Sequence, residues 1–421
     1  MTKVATKQYE FTGYMKTVLL LMAFLQFTVV LDFTILSPPG AVLMHELELS
    51  TAQFSLVVSI YAISAGLFGL LAAGVADRFD RKRFLLFFYA GFVLGTLFCG
   101  VASSFYQLLL GRLVAGLFGG VVSATTLAIA ADLFPFEARG RAMGVIQVSF
   151  AVSQVFGIPA GLALSNLWGW HSPFLLISGL GLVAALATSK LLRPIREHLT
   201  SGKQSTALLH LYRTLSSPRH VWGFGATLLL TTGAYMMTPF GSAYVVENLG
   251  LTVAQLPLLY ACTGVAAMVA APVVGKWSDV AGKFRLFAGV SLIGAPLVIA
   301  YTRLQSASIA VAILFNVALL IVVTSRFVLA SALTSELPTS SDRGAFMAVN
   351  ASLQQFAGAA GATVAGHLVT RTAAGPLSGY DYLGLCAAGA ILVTLAFMYR
   401  VHKVVGDSVD VATTESADAL L

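Results

Sequence analysis

Long apolar runs separated by short polar stretches repeat along the whole chain. Twelve can be marked, at roughly 16–37, 51–76, 84–103, 105–131, 142–165, 172–192, 220–247, 253–277, 285–302, 307–334, 344–371 and 380–402. About 20 apolar residues in a helix cross the hydrocarbon layer of a bilayer. Lipid offers backbone groups no hydrogen-bond partner, so each run is expected to be helical. The short alternating strands of a membrane barrel do not occur. The pattern predicts an all-α membrane protein with twelve transmembrane helices.

Composition agrees. The 421 residues are 57% hydrophobic and 10% charged, against about a quarter charged in a soluble domain. Most of the surface must therefore face lipid. The net charge of +7 then becomes a topology signal. If the N-terminus is cytoplasmic and the loops alternate, the 25 Lys and Arg gather on the cytoplasmic side. The exceptions are Arg303 and Arg371 on the other side and Arg112 and Arg326 inside spans. Such a bias fixes orientation and places both termini in the cytoplasm. It argues against a nucleic-acid partner. The first run is too long for a signal-peptide core, and a multi-pass protein of the inner (plasma) membrane is expected. Cys99, Cys262 and Cys386 lie within spans, with neither pairing pattern nor metal-ligand spacing, and read as packing residues.

Two landmarks occur twice. AGVADRFDRKR (Ala73 to Arg83) matches GKWSDVAGKFR (Gly275 to Arg285), and DLFPFEARGRAMG (Asp132 to Gly144) matches SELPTSSDRGAFM (Ser335 to Met347). Pro135 pairs with Pro338 and Arg139 with Arg343. This spacing indicates duplication into two six-helix bundles, 1–192 and 220–403, the usual frame of alternating access. The 193–219 segment joins them as a basic cytoplasmic linker. Within it Leu208, Leu209, Leu211, Tyr212 and Leu215 fit either a short interfacial helix or an ordinary linker. The tail 404–421 is acidic, rich in Thr, Ser and Ala, and expected to be disordered.

These residues resemble the major facilitator superfamily over nearly the whole chain, and in particular its twelve-helix drug:proton antiporters. Asp77, Arg78, Arg81 and Lys82 match the basic loop between the family's second and third helices. Ala73 and Asp80 stand where that pattern has glycine. The second copy keeps Gly275, Asp279, Gly282 and Lys283. Small residues let helix ends approach, and cations interact with helix C-terminal carbonyls. The resemblance implies a conformational latch formed by Asp77, Arg78, Arg81, Lys82, Asp132, Arg139, Asp279 and Arg343.

The first span contains LDFTILSPPG (Leu31 to Gly40), similar to the antiporters' first-helix motif. Asp32 is the acid well inside an apolar span. Burying a charge there costs about 2.5–3.5 kcal/mol, which favours the neutral acid and suits a proton carrier or a cation ligand; a structural acid is the alternative. LLLGRLVAGLFGG (Leu108 to Gly120) resembles the family's fourth-helix pattern, with Arg112 and Gly116 matching and Ala115 replacing glutamine. Arg112 cannot give up its proton. It would steady an ionised carboxylate, with Asp32 a candidate partner, or else snorkel. QVFGIPAGLAL (Gln154 to Leu164) resembles the antiporters' Gly-Pro motif, with Ile158 inserted between Gly157 and Pro159. Gly358, Gly361 and Gly366 suggest similar packing in the eleventh span.

Arg326 lies inside the tenth span without an acid in the same helix. A polar cavity, where it would bind an anionic or hydroxylated group by a forked hydrogen bond, competes with a structural ion pair. Gln26, Gln147, Tyr235, Asn350 and His367 complete the candidate substrate site. There is no phosphate-binding loop, and neither an enzymatic site nor a cofactor is expected. The resemblance implies a secondary active transporter, functioning as a monomer, that exports a small organic or amphipathic compound in exchange for protons. A sugar, metabolite or organic-anion carrier, working as symporter or uniporter, is the alternative. A non-transporting membrane sensor is a further one.

Overall fold

The computed structural model describes residues 11–196, 213–339, 342–371 and 376–418. The first half holds α1 (Gly13–Thr34), α2 (Gly40–Glu46), α3 (Thr51–Val75), α4 (Arg81–Gly100), α5 (Phe105–Leu133), α6 (Phe136–Val152), α7 (Ile158–Trp168) and α8 (Ser172–Leu191). The second holds α9 (Pro218–Met237), α10 (Gly241–Glu247), α11 (Leu256–Ala281), α12 (Lys283–Thr302), α13 (Ile309–Thr334), α14 (Arg343–Leu368) and α15 (Tyr380–Asp418). A two-residue hairpin, β1 (Thr370–Arg371) with β2 (Leu377–Ser378), joins α14 to α15. Counting α6 and α7 as one bent helix, and α2 and α10 as short extensions, this is twelve spans in two six-helix bundles. Among the described residues, ten helical segments are long and apolar enough to cross a membrane on their own composition. The other two spans, α9 and α14, fall outside that set.

Three details differ from the expected spans. The run at 220–247 is not continuous: α9 ends at Met237, and Pro239 separates it from α10. Pro239 has no amide hydrogen to donate to the carbonyl four residues back, so the hydrogen-bond ladder stops there, although Thr238 before it keeps helical backbone (φ −65°, ψ −45°). Pro38 and Pro39 separate α1 from α2 in the same way. The fifth span carries a π-helical turn over Ser153–Gly157, with Ile158 N donating to Ser153 O. Pro159 cannot bond back to Val155, and the wider turn accommodates its ring. Finally, the last helix continues to Asp418, through the stretch expected to be a disordered tail. Extending an existing helix adds one hydrogen bond per residue fixed, without a new nucleus. The interfacial-helix candidates from Leu208 to Tyr212 lie outside the described residues.

The structure also exposes a third internal repeat. LELSTAQF (Leu47 to Phe54) and LGLTVAQL (Leu249 to Leu256) occupy equivalent places in the two halves. Each follows a short helix and contains a positive-φ residue, Glu48 (φ 51°) or Gly250 (φ 79°). Each then closes a capping box, Ser50 with Gln53 and Thr252 with Gln255. The boxes satisfy amides at the helix start that would otherwise lack partners.

These repeated corners meet at the end remote from the basic loops. Ser242 Oγ donates to Ser37 O at 2.8 Å, and the Phe54 and Phe240 rings stand 5.7 Å apart. From there toward midspan, α3 packs on α14. Ser55 Oγ donates to Ala362 O at 2.6 Å, and Ser59 Oγ to Ala359 O at 3.2 Å. On the opposite flank α11 lies against the bent helix, where a Cβ on Gly264 would stand 2.9 Å from Gln154 O. The largest buried apolar cluster crosses both halves here, uniting Ile35, Phe54 and Leu162 with Phe240, Leu249 and Ala365. Toward the basic loops each half has a separate cluster, around Phe84 in one and around Phe224, Phe287 and Phe346 in the other.

Candidate functional site

Asp32 and Arg112 meet inside the first bundle. Arg112 Nη1 donates to Asp32 Oδ2 at 3.1 Å and to the Asp32 carbonyl at 2.9 Å. Both side chains have 0% exposure. The guanidinium carbon lies 4.2 Å from the centre of the Tyr61 ring, a cation–π contact that helps to hold a desolvated cation. Small residues on α5 make this geometry possible. A Cβ on Gly116 would overlap Ser64 Oγ and the Tyr61 carbonyl, and one on Gly120 would overlap the Ala65 backbone. Gly116 and Gly120 thus let α3 lie directly on α5, which sets the Tyr61 ring beneath Arg112.

The pair is under-satisfied. Asp32 Oδ1, Arg112 Nε, Arg112 Nη2 and the Tyr61 hydroxyl are buried without a hydrogen-bond partner. A buried ion pair offsets its desolvation cost only when its remaining polar atoms are also bonded. Chemically this pair can exchange partners: a proton on Asp32 would remove the charge that Arg112 answers.

Tyr61 also leads toward the second bundle. Its ring stands 5.4 Å from Phe33, and Phe33 stands 5.9 Å from Tyr235 on α9. Tyr235 in turn rests within 3.5 Å of where a Gly358 Cβ would lie. Sequence reasoning named Tyr235 but missed Phe33 and Tyr61, because an aromatic inside an apolar run looks like ordinary packing. Gln26 is buried, and its Oε1 accepts from Thr126 Oγ1 at 3.2 Å.

The other candidates are dispersed. Gln147 is exposed on α6, and His367 is exposed near the end of α14, with Nδ1 2.9 Å from the Thr363 carbonyl. Arg326 is buried on α13 and turns toward α12, where Nε donates to Ser291 Oγ at 3.1 Å and the guanidinium faces Phe287 at 5.4 Å. Its Nη2 is buried without a hydrogen bond. Asn350 lines a small cavity between α9, α13 and α14.

At the basic end, Arg81 Nε pairs with Asp132 Oδ2 at 2.9 Å, tying the α4 start to the α5 end. Lys82 Nζ donates to Ser189 O at 2.7 Å, and Arg78 is exposed. Arg139 Nε is buried without a hydrogen bond. In the second half Lys283 pairs with Glu336 at the equivalent junction. The side chains of Asp77, Asp279 and Arg343 lie outside the described set. Asp80, which departs from glycine, has its own task. It caps α4, accepting from Lys82 N at 2.9 Å and Arg83 N at 3.4 Å, and pairs with Arg196 at 2.8 Å. Burial pushes its carboxyl up, but the Arg196 bond and the backbone amides outweigh that and hold it below the usual carboxylate value.

Comparisons with known proteins agree with this architecture. Residues 22–362 match the profile of the Major Facilitator Superfamily. The chain is 29% identical over 271 residues to the MFS-type transporter YceJ of Bacillus subtilis, covering 64% of this chain and 69% of that protein. It is 32% identical over 154 residues to Multidrug resistance protein 3 of Bacillus subtilis, covering 36% and 29%. To the vacuolar membrane amino acid uptake transporter fnx2 of Schizosaccharomyces pombe it is 33% identical over 125 residues, covering 30% and 22%. In fold it is similar to a bacterial homolog of the human lysosomal transporter Spinster, solved inward-facing and occupied, with TM-score 0.75 at 17% identity over 94% of this chain and 98% of that one. The nucleoside transporter NupG gives 0.73 at 12% identity, over 91% and 99%. The twelve helices in two bundles, the duplicated landmarks and this match together place the chain in the Major Facilitator Superfamily, as a transporter and not an enzyme.

Proposed function

We propose that the protein exports a small organic or amphipathic compound in exchange for protons, by alternating access. The observation that carries the reading is the under-satisfied Asp32–Arg112 pair, enclosed in the first bundle with Tyr61 and Phe33 bridging to Tyr235. Proton binding to Asp32 frees Arg112, and substrate binding favours the state in which the proton leaves. Coupling requires only that proton and substrate prefer different states. The similarity to Multidrug resistance protein 3 supports export.

In this reading Asp77, Arg78, Arg81, Lys82, Asp132, Arg139, Asp279 and Arg343 bias the closure of the cytoplasmic end. The division into 1–192 and 220–403 about the 193–219 linker, the monomeric state, cytoplasmic termini and the plasma membrane belong to the same proposal. Arg326, Gln26, Gln147, Tyr235, Asn350 and His367 are its substrate candidates. The test is flux into proteoliposomes of a compound found by a ligand-stabilisation screen, with and without a pH gradient. The gradient should drive accumulation in wild type and not in Asp32→Asn. Accumulation indifferent to the gradient would instead support a uniporter of metabolites or organic anions.

A further inference from the structure

The cavity between α9, α13 and α14 has a volume of about 40 Å³, room for a few waters or one amide-sized group. Thr227, Ser331, Thr334, Asn350 and Gln354 supply its polar wall, and Phe327 an aromatic edge. Asn350 Oδ1 is enclosed and has no hydrogen-bond partner. A buried acceptor left in that state is costly, so the cavity favours an occupant that donates a hydrogen bond. Thr334 Oγ1 already donates to Ala330 O at 2.8 Å and keeps only acceptor capacity. Ser331 and Gln354, both exposed at the cavity's rim, offer donors to an occupant's carbonyl or hydroxyl oxygen.

Charge narrows the class further. Among the described residues no ionisable side chain lines the cavity. Asp32 is engaged by Arg112 in the other bundle, so a cation would find no free carboxylate. Arg326 precedes the lining Phe327 in the chain, yet its guanidinium faces Ser291 and Phe287 on α12. An anion would therefore find no cation at the wall. An isolated charge placed there would lose its hydration without a partner.

We infer that this cavity is a subsite for an uncharged, hydrogen-bond-donating group of the transported compound, such as a carboxamide or hydroxyl beside an aromatic ring. The inference rests on reading the protein as an exporter of small organic compounds, and it names the class. It also makes the exchange of such a substrate for a proton electrogenic.

The test uses three planar isosteres that differ in charge: 2-naphthamide, 2-naphthamidinium and 2-naphthoate. Binding to the purified full-length protein in nanodiscs is followed by naphthalene fluorescence at neutral pH. Naphthamide should bind about tenfold tighter than either charged analogue, and Asn350→Leu should remove that preference. Asn350→Asp keeps the size and the acceptor while adding a charge. It should shift the preference toward naphthamidinium, a gain that misfolding cannot imitate. Equal binding of the three, binding of none, or an Asn350→Asp variant with unchanged preference would overturn the subsite and leave a water-filled void. Proton release on naphthamide binding is recorded in parallel. Selective binding with no proton release upholds the subsite while refuting proton exchange.

Discussion

Removing one partner of the Asp32–Arg112 pair should cost more on one side than on the other. In Asp32→Asn, Arg112 remains fully buried, because a guanidinium cannot shed its proton. Breaking a buried pair by deleting one partner typically costs about 3–5 kcal/mol. Two contacts survive: the Asp32 carbonyl at 2.9 Å and the Tyr61 ring at 4.2 Å. Together they offset about 1–2 kcal/mol, leaving a net loss of about 1–4 kcal/mol. In Arg112→Gln the stranded carboxyl can neutralise itself by taking a proton, so the loss should be smaller, about 1–2 kcal/mol. The double variant strands no charge and should be no worse than Asp32→Asn alone, giving a coupling energy of at least about 1 kcal/mol. Reversible unfolding in detergent, followed by tryptophan fluorescence, measures all four corners of the cycle. A coupling energy below about 0.5 kcal/mol, or an Arg112→Gln variant less stable than Asp32→Asn, would refute the account of the pair.

Three further outcomes follow from packing and charge. Gly116→Val should destabilise the first bundle by about 1–3 kcal/mol, because its side chain would enter the space of Ser64 Oγ and the Tyr61 carbonyl; unfolding midpoints measure it, and Gly140→Val, with nothing near its Cβ position, is the control. Gly264→Leu should pry α11 from the bent helix at Gln154 and Val155, so that a cysteine introduced as Ser59→Cys reacts faster with a membrane-impermeant maleimide than in the parent. Asp80 is held below its ordinary value, so its contribution is present above the unfolded carboxylate range and lost as pH falls through the lowered folded value. Asp80→Asn keeps a capping side chain but should flatten the acid limb of the stability–pH curve, measured by unfolding midpoints from pH 7 down to about pH 3.

Much of the fold was legible because lipid leaves so few alternatives. Every span must be apolar and helical, so the runs themselves located the twelve helices, while the break at Pro239 inside the 220–247 run was missed because the stretch stays apolar on both sides of it. The third repeat was overlooked although Leu47, Leu49, Ala52 and Gln53 recur as Leu249, Leu251, Ala254 and Gln255; what the letters do not show is that Glu48 (φ 51°) and Gly250 (φ 79°) both adopt positive φ. Asp32 and Arg112 were legible as singular charges. Their contact spans 80 positions of chain and depends on how Gly116 sets α3 against α5. The sequence pattern led to Asp80 being read only as a lost glycine. Its role as a helix cap follows from its place immediately before α4, a signal available in the run Asp-Arg-Lys-Arg-Phe. Arg326 was legible as an anomaly, but the direction of its side chain is a product of helix rotation that no single helix encodes.

The most direct measurement of the central claim counts protons. Purified wild-type protein in weakly buffered detergent solution is mixed with a compound that stabilises it, and a pH indicator reports the change. If Asp32 exchanges its proton for substrate, binding releases up to one proton per protein, and Asp32→Asn releases none while still binding the compound. Undiminished release from Asp32→Asn, or binding to wild type with no release at any pH between about 5 and 8, would contradict the account.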